Sequence, residues 1–116
     1  MRHRKVIKTL NRVSAARKAL MRDLATSVVV YEKVVMTQTK AKAVRPEIEH
    51  LITIAKKNDL AARRRLLSYF TTEQPVNKLM EVIAPRLKDR QGGYVRITKL
   101  GRRVGDAAPT VQIELL

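Results

Sequence analysis

The sequence predicts an α+β fold in which about four helices pack against a small sheet of about three strands, with an extended basic arm at the amino end. Apolar residues recur every three or four positions between residues 14 and 85, as on helices, and alternate with polar residues over 110–116, as on a strand. Cations crowd the segment before the first helix. We therefore expect a basic arm over residues 1–12 and one α+β domain over residues 13–116.

The composition indicates a folded, strongly basic protein with a polyanion as its partner. Hydrophobic residues make up 45% of the 116 residues, too large a share for a wholly disordered tail. The 25 Lys and Arg residues outnumber the 10 Asp and Glu residues, so the formal net charge is +15. Nucleic acid is the expected polyanion and no membrane contact is expected, because the chain has neither an apolar run of spanning length nor a lipidation motif. The absence of cysteine suits a reducing compartment, and the cytoplasm is the expected location.

The amino-terminal segment carries the strongest signal for nucleic-acid binding. The first 22 residues include eight Lys or Arg and no Asp or Glu, and residues 2–12 have neither helical nor strand periodicity. Each cation placed on a phosphate releases a counterion and adds affinity that does not depend on the base sequence. A merely solubilising tail is the alternative, but such tails seldom run directly into a capped helix. The binding candidates in and beside this arm are Arg2, His3, Arg4, Lys5, Lys8, Asn11, Arg12 and Ser14.

A first helix is predicted from near Asn11 or Ser14, since either side chain is a good N-cap. The apolar stripe expected to face the core is Leu20, Leu24, Val28 and Tyr31. The side of the helix away from this stripe adds three cations to the binding candidates: Arg17, Lys18 and Arg22. The next segment, residues 31–37, is rich in β-branched residues and predicts a short or edge strand.

Three further helices follow. The second covers residues 39–57, and Pro46 should kink it or mark its first turn; its core stripe is Val44, Ile48, Leu51, Ile52 and Ala55. Asp59 should cap the third, which runs to Phe70 and carries three successive arginines. Three such residues fan over roughly 200°, so a solvated face explains them as well as a contact does, and Arg64 is the candidate retained. Thr72 and Pro75 open a fourth helix that ends or bends at Ala84-Pro85; its apolar face is Val76, Leu79, Met80 and Ile83.

The last quarter of the chain predicts two strands around a long basic loop. The strands cover residues 94–100 and 110–116, and the second alternates clearly. The loop over 101–109 contains Arg102 and Arg103 beside glycine, which allows backbone donors as well as side chains to approach phosphate oxygens. Arg96 on the first of these strands completes the set of binding candidates.

No residue pattern predicts catalysis, a metal or a cofactor. Gly92-Gly93 lacks the spacing of a phosphate loop and leads into a strand, where a turn is the ordinary interpretation. His3 and His50 are the only histidines and have no companion ligands at metal-binding spacing. Three Tyr, one Phe and no Trp are too few to form both a core and a base-stacking platform. Recognition of already folded RNA by shape, phosphate and 2′-hydroxyl fits better, and no small-molecule substrate is expected.

Several segments together resemble the family of the bacterial large-subunit ribosomal protein numbered seventeen. The segments, in order, are MRHRK, LNR with Ser14 and Arg17, TKAKAVRP with ITIAK, the arginines of AARRRLL, APR before GGY, and RRVGDAAP with the final IELL. This resemblance covers essentially the whole chain. It implies a component of the large ribosomal subunit that binds large-subunit ribosomal RNA and neighbouring ribosomal proteins, and that has no enzymatic activity.

Two other classes of function compete with this interpretation. A nucleoid or regulatory DNA-binding protein could use the first helix, but a helix-turn-helix reader needs a second helix after a turn of three or four residues. Here a strand-like segment follows the first helix instead. A small RNA-processing enzyme would need an acid, base or metal set, and the sequence offers no convincing one.

Overall fold

The computed structural model describes residue 3 and residues 8–116 of the protein. This part of the chain contains four helices and three strands. The helices are α1 (Ser14–Tyr31), α2 (Gln38–Lys56), α3 (Leu60–Tyr69) and α4 (73–86), and α4 joins the segments Glu73–Lys78, Leu79–Ile83 and Ala84–Arg86. The strands are β1 (Lys33–Thr37), β2 (Val95–Arg102) and β3 (Pro109–Leu115).

The three strands form one antiparallel sheet in the order β1-β3-β2, so β1 is an edge strand, as predicted. The strands alternate between two faces, and the face that carries Met36, Val111 and Ile113 is buried in the core that the helices share. The prediction of an α+β fold with about four helices and a three-stranded sheet is therefore confirmed. A bulge interrupts the β2–β3 pairing between Lys99 and Gly101, and Gly101 has a φ of 117° there, which favours glycine.

The buried face of α1 differs from the predicted stripe. Met21, Ala25, Val28 and Val29 are buried, whereas Leu20 and Leu24 are only partly buried and Tyr31 is 72% exposed. Since each helical residue turns by about 100°, Tyr31 falls on the same flank as Leu20 and Leu24, roughly 100° from the centre of the buried face. The prediction that Tyr31 faces the core is wrong, because two apolar rows lie side by side on this helix and the other row packs against α2, α4 and the sheet.

The predictions for the N-caps of the first and third helices had different outcomes. α1 begins at Ser14, as predicted, but its N-cap is Val13 and no side chain of the described residues caps it, so the prediction that Asn11 or Ser14 does so is wrong. Ser14 is already the first helical residue, and Asn11 lies two positions too early with a left-handed φ of 54°. In α3 the prediction is confirmed, because the Asp59 carboxylate accepts a hydrogen bond of 2.7 Å from the Ala62 backbone N–H.

The apolar faces of α2 and α4 match their predictions closely. Every residue of the α2 stripe is buried, with Pro46 inside the helix, and the α4 face is buried except for the partly exposed Met80. Before Pro85, α4 widens into a π-helical turn in which the Ala84 N–H donates to the Leu79 carbonyl. Pro85 has no N–H to donate to the carbonyl of Glu81, and the wide turn precedes this missing hydrogen bond.

Glu32 joins three elements at the end of α1. Its backbone has a left-handed φ of 64°, its N–H donates to the Val28 carbonyl, and its own carbonyl accepts from the N–H of Leu115 at 3.0 Å. Its carboxylate pairs with Arg86 and with Lys78, the latter at 3.3 Å. The hydrogen bond from Arg86 is the main cause of a lowered pKa for Glu32. One residue thereby fixes the turn from α1 into β1 against both α4 and β3.

Substituting Ile52→Ala tests the core. Ile52 is fully buried, so its truncation should lower the free energy of unfolding by about 2–5 kcal/mol through lost burial and a residual cavity. Leu60→Ala is the control, since Leu60 is 62% exposed and its loss should change stability by less than about 0.5 kcal/mol. Urea denaturation followed by circular dichroism measures both; equal losses would contradict the described core.

Substituting Glu32→Gln tests the junction through its pH dependence. Because the folded state lowers the pKa of Glu32, the carboxylate stabilises the fold above the unfolded-state pKa of glutamate, about 4.3, and loses this contribution as the pH falls through the lower folded-state value. Wild type should exceed E32Q in unfolding free energy at pH 7 by up to roughly 1 kcal/mol, discounted for partial exposure, and the difference should shrink at pH 3. The control is Glu81→Gln, because Glu81 is exposed and forms no ion pair with a described residue, and it should change the unfolding free energy at pH 7 by less than about 0.5 kcal/mol.

Candidate nucleic-acid interface

A groove between α1 and α2 gathers cations from three places in the sequence. Lys8 precedes α1, Arg17 and Lys18 lie in its first turns, and Lys42 lies near the start of α2. The groove encloses about 480 Å³, and its walls are completed by Met21, Ala43, Pro46 and Glu47. We call it the α1–α2 groove. Its four cations face one carboxylate, so it attracts anions.

The amino-terminal end of α1 adds to the positive potential near the α1–α2 groove. Within the part of the chain that the structure describes, no side chain caps the start of α1, so its first backbone N–H groups can meet an anion beside Arg17. None of the four cations of the groove forms an ion pair with a described residue. The α1–α2 groove is therefore a surface of unneutralised donors suited to phosphate oxygens.

A second concavity lies further along the same two helices, where α3 joins them. Arg22 from α1, His50 from α2 and Arg65 from α3 line it, and the space is about 300 Å³. Its other lining residues are Leu51, Ile54, Ser68 and Tyr69. We call it the Arg22 pocket. The Nε of Arg22 is buried and has no hydrogen-bond partner among the residues that the structure describes.

A hydrogen bond between Tyr69 and Glu47 separates the α1–α2 groove from the Arg22 pocket. The Tyr69 hydroxyl donates to the Glu47 carboxylate. Burial, followed by this hydrogen bond, raises the pKa of Tyr69, which keeps the phenol protonated and donating. The acid that lines the groove is thereby held by a neutral partner, and the neighbouring cations stay unpaired.

The predicted residues near the amino end fall into three groups. Lys8, Arg17 and Lys18 lie together in the α1–α2 groove, and Arg22 lies in the adjoining pocket. His3, Asn11, Arg12 and Ser14 are exposed but do not line either concavity, and Arg12 donates to the Leu10 carbonyl at 2.9 Å. Arg2, Arg4 and Lys5, and with them most of the predicted arm, lie outside the described residues.

The three arginines of α3 diverge as their helical spacing requires. Arg63 donates to the Asn77 side chain on α4 at 2.8 Å, and Arg65 lines the Arg22 pocket. Arg64, the candidate chosen from the sequence, is exposed and lines neither concavity. Its contact with nucleic acid stays a prediction.

The predicted residues of the sheet lie apart from the helical cations and are engaged within the fold. Arg96 pairs across the strands with Glu114 at 3.5 Å, and Arg102 donates to the Ala107 carbonyl at 3.1 Å. Arg103 forms a two-pronged ion pair with Asp106, with 3.1 Å between Arg103 Nε and the carboxylate. The hydrogen bond from Arg103 lowers the pKa of Asp106 to about 2. These contacts order the loop, while the side chains of Arg102 and Arg103 remain exposed.

Three basic lining residues were not among the sequence-based candidates: Lys42, His50 and Arg65. The available signal was the helical spacing of Lys42, Pro46 and His50, which puts them near one side of α2. That spacing does not reveal that α1 packs beside this side of α2. This tertiary packing brings Lys42 near Lys18 and His50 near Arg22, and the sequence alone does not show it.

No helix in residues 8–116 is long and apolar enough to cross a membrane. No group of three or more His, Cys, Asp or Glu side chains in the part of the chain that the structure describes is placed to hold a metal ion.

The fold and the site define a class: a small, basic α+β protein with a cationic helical surface suited to the phosphate backbone of a nucleic acid. Residues 20–116 match the family described as Ribosomal protein L17. A large ribosomal subunit protein bL17 of Roseobacter denitrificans is 48% identical over the whole chain, which covers 83% of that relative.

Two further relatives carry the same name. The bL17 protein of Syntrophotalea carbinolica is 47% identical over the whole chain, which covers 75% of it. That of an Exiguobacterium strain is 48% identical over 112 residues, which cover 92% of this chain and 96% of the relative. The chain therefore belongs to the ribosomal protein L17 family, as its resemblance predicted. This family consists of structural ribosomal proteins, so the protein is not an enzyme, and the DNA-binding alternative is set aside.

The Arg103–Asp106 pair gives a direct test of the loop. In the wild-type protein the Asp106 carboxyl should titrate with a pKa of about 2, and in Arg103→Gln it should return towards the ordinary aspartate pKa of about 3.9. Carboxyl-carbon NMR over an acid titration measures both. Arg102→Gln is the control, because Arg102 bonds a carbonyl and not the carboxylate. An unchanged titration in R103Q would contradict the ion pair.

Proposed function

We propose that this protein is a structural constituent of the bacterial large ribosomal subunit that binds and stabilises folded large-subunit ribosomal RNA through phosphate and shape contacts. The observation that carries the proposal is the α1–α2 groove in a member of the ribosomal protein L17 family. Three of its four cations, Arg17, Lys18 and Lys42, lie on two helices of a packed core, so they meet the phosphate backbone at fixed positions. Fixed phosphate contacts set the position of a protein on RNA and contribute most of its salt-sensitive affinity.

The aromatic side chains support recognition by shape. All four lie in the described range, and Phe70 and Tyr94 are buried while Tyr69 is held by Glu47. Tyr31 is the one fully exposed aromatic side chain, which is too little for a stacking platform that reads single-stranded bases. Folded RNA, which presents its backbone and 2′-hydroxyls, is the better partner for this surface.

Membership of the family makes ribosomal RNA and neighbouring ribosomal proteins the partners of this chain, in the cytoplasmic ribosome. We assign the RNA first to Lys8, Arg17, Lys18 and Lys42. The basic arm over residues 1–12, with Arg2, Arg4 and Lys5, extends this surface in our proposal because its charge has one sign and precedes α1 directly. Arg96, Arg102 and Arg103 form a separate, secondary set on the sheet.

Neutralising the α1–α2 groove should weaken RNA binding in a salt-dependent way. The double variant Arg17→Gln/Lys42→Gln removes two charges without touching a buried apolar residue. If each contacts a phosphate, the slope of log affinity against log salt should become shallower by roughly 1.5 to 2. Filter binding of the full chain to large-subunit ribosomal RNA over roughly 50–200 mM salt measures the effect. At the lower salt concentration the double variant should bind about tenfold more weakly than the wild type.

The matched control is Lys57→Gln/Lys88→Gln, which also removes two exposed cations but leaves the α1–α2 groove intact. In cell lysates the tagged wild type should sediment with the large subunit, and the groove variant should do so less completely than the control. Equal salt slopes for the two variants would contradict the assignment of the groove. Recovery of the wild type chiefly on chromosomal DNA would contradict the proposed function itself.

A further inference from the structure

We propose that the face of the sheet turned away from the helices binds a neighbouring protein of the large ribosomal subunit, through apolar and uncharged polar side chains and not through phosphate contacts. We call this surface the outer sheet face, and its residues are Val35, Thr37, Thr98, Leu100, Thr110 and Gln112. The inference rests on the proposed function, because the partner is a protein assembled on the same ribosomal RNA. None of the six residues belongs to the proposed RNA contacts.

The antiparallel register builds the outer sheet face from two rows that cross the strands. Gln112 pairs with Val35 on one side and with Thr98 on the other, so these three residues form the first row. Thr37 pairs with Thr110 in the next row. The sheet therefore presents side chains from all three strands as one continuous surface.

The outer sheet face is open to solvent in the part of the chain that the structure describes. Met36 and Ile113 are buried against the helices, and the alternation of side chains puts their sequence neighbours on the opposite face. There, Val35 on β1 is 56% exposed, and Leu100, the extra residue of the bulge in β2, is 54% exposed. A partner that covers these two side chains removes apolar area from water, which favours binding.

The charge of the outer sheet face favours a protein over RNA as this partner. None of its six residues is charged, although the formal net charge of the chain is +15. In the adjoining row Glu114 lies between Lys33 and Arg96, at 3.8 Å and 3.5 Å from their side-chain nitrogens. An uncharged centre with a charged rim is typical of protein–protein interfaces, whereas surfaces that bind nucleic acid are strongly positive. Threonine and glutamine can bond to phosphates, but they release no counterions.

The size of the outer sheet face favours a partner held on the same RNA over a second copy of this chain. Three strands about 4.8 Å apart and two rows about 7 Å apart cover on the order of 200 Å². A stable pair of proteins ordinarily buries about 800 Å² on each partner, so this face alone is too small to hold a second copy. Two proteins bound to one RNA have a high effective concentration, and a small contact between them then suffices.

The variant Val35→Arg tests the inference in bacterial cells that also contain the wild-type protein. If a protein covers Val35, the new guanidinium loses water without an acid to pair with, and the tagged variant should enter large subunits on the order of tenfold less well than tagged wild type. Its affinity for isolated large-subunit ribosomal RNA should not fall, because an added cation does not weaken binding to a polyanion.

The matched control is Leu60→Arg, which makes the same change at an apolar residue of α3 that is 62% exposed. It should enter large subunits as well as wild type, and equal losses in V35R and L60R would overturn the inference. Circular dichroism of V35R should match wild type, since Val35 is more than half exposed. Thr98→Arg, in the same row on the other outer strand, takes its place if V35R does not fold.

A photo-crosslinking amino acid in place of Val35 identifies what covers the outer sheet face in purified large subunits. Its adduct should be with another large-subunit protein, identified by mass spectrometry, whereas the same probe in place of Lys42 should react with RNA. An RNA adduct at position 35, an adduct with a second copy, or no adduct would each overturn the inference. In all three cases an RNA adduct at position 42 would still support the proposed function, and failure of the wild type to enter large subunits would overturn both.

Discussion

The whole fold depends on the seven residues of β3, which lie between two strands that helices α2, α3 and α4 separate in sequence. β1 follows the first helix and β2 follows the fourth, and neither pairs with the other; each pairs only with β3. The sheet therefore cannot form until the carboxyl end arrives, and its buried face, with Val111 and Ile113 at its centre, cannot receive the helices before then. Glu32 reinforces this dependence, because its carbonyl bonds to Leu115 while its carboxylate holds Arg86 and Lys78.

The positions of the acidic residues explain which cations stay without an ion pair. Glu32 and Glu114 each serve two cations, Asp106 serves the β2–β3 loop, and Asp59 caps α3. These acids stabilise turns, strands and helix ends, and they do so away from the α1–α2 groove. Two acids lie near the α1–α2 groove and the Arg22 pocket. Glu47 accepts a hydrogen bond from the neutral phenol of Tyr69, and Glu49 lies 3.6 Å from the Arg45 guanidinium. The cations of the α1–α2 groove are therefore left without an ion pair among the described residues.

Sequence reasoning predicted the elements better than their relative placement. The α2 stripe and the alternation of β3 were recoverable because each presents a single apolar row, and burial confirms both. α1 carries two apolar rows, so which of them is buried depended on the tertiary packing against α2, α4 and the sheet, and Tyr31 was assigned to the wrong side. For the site, the sequence predicted the cations of α1 but not their companions Lys42 and Arg65, because only helix packing brings residues so distant in sequence into one surface.

The helical surface and the amino-terminal segment differ in what they contribute to binding RNA. In our proposal a cation of the segment over residues 1–12 adds affinity wherever a phosphate is near it, and its side chain loses conformational freedom when it binds. Lys18 and Lys42, by contrast, project from helices that are already fixed by a shared core, so the backbone beneath each contact loses little further freedom. Fixed donors also reject RNA backbones of the wrong curvature, because a misplaced phosphate cannot reach two helices at once. In our proposal the affinity of this protein for RNA is therefore a property of its charge, and its preference for folded RNA is a property of the packing between α1 and α2.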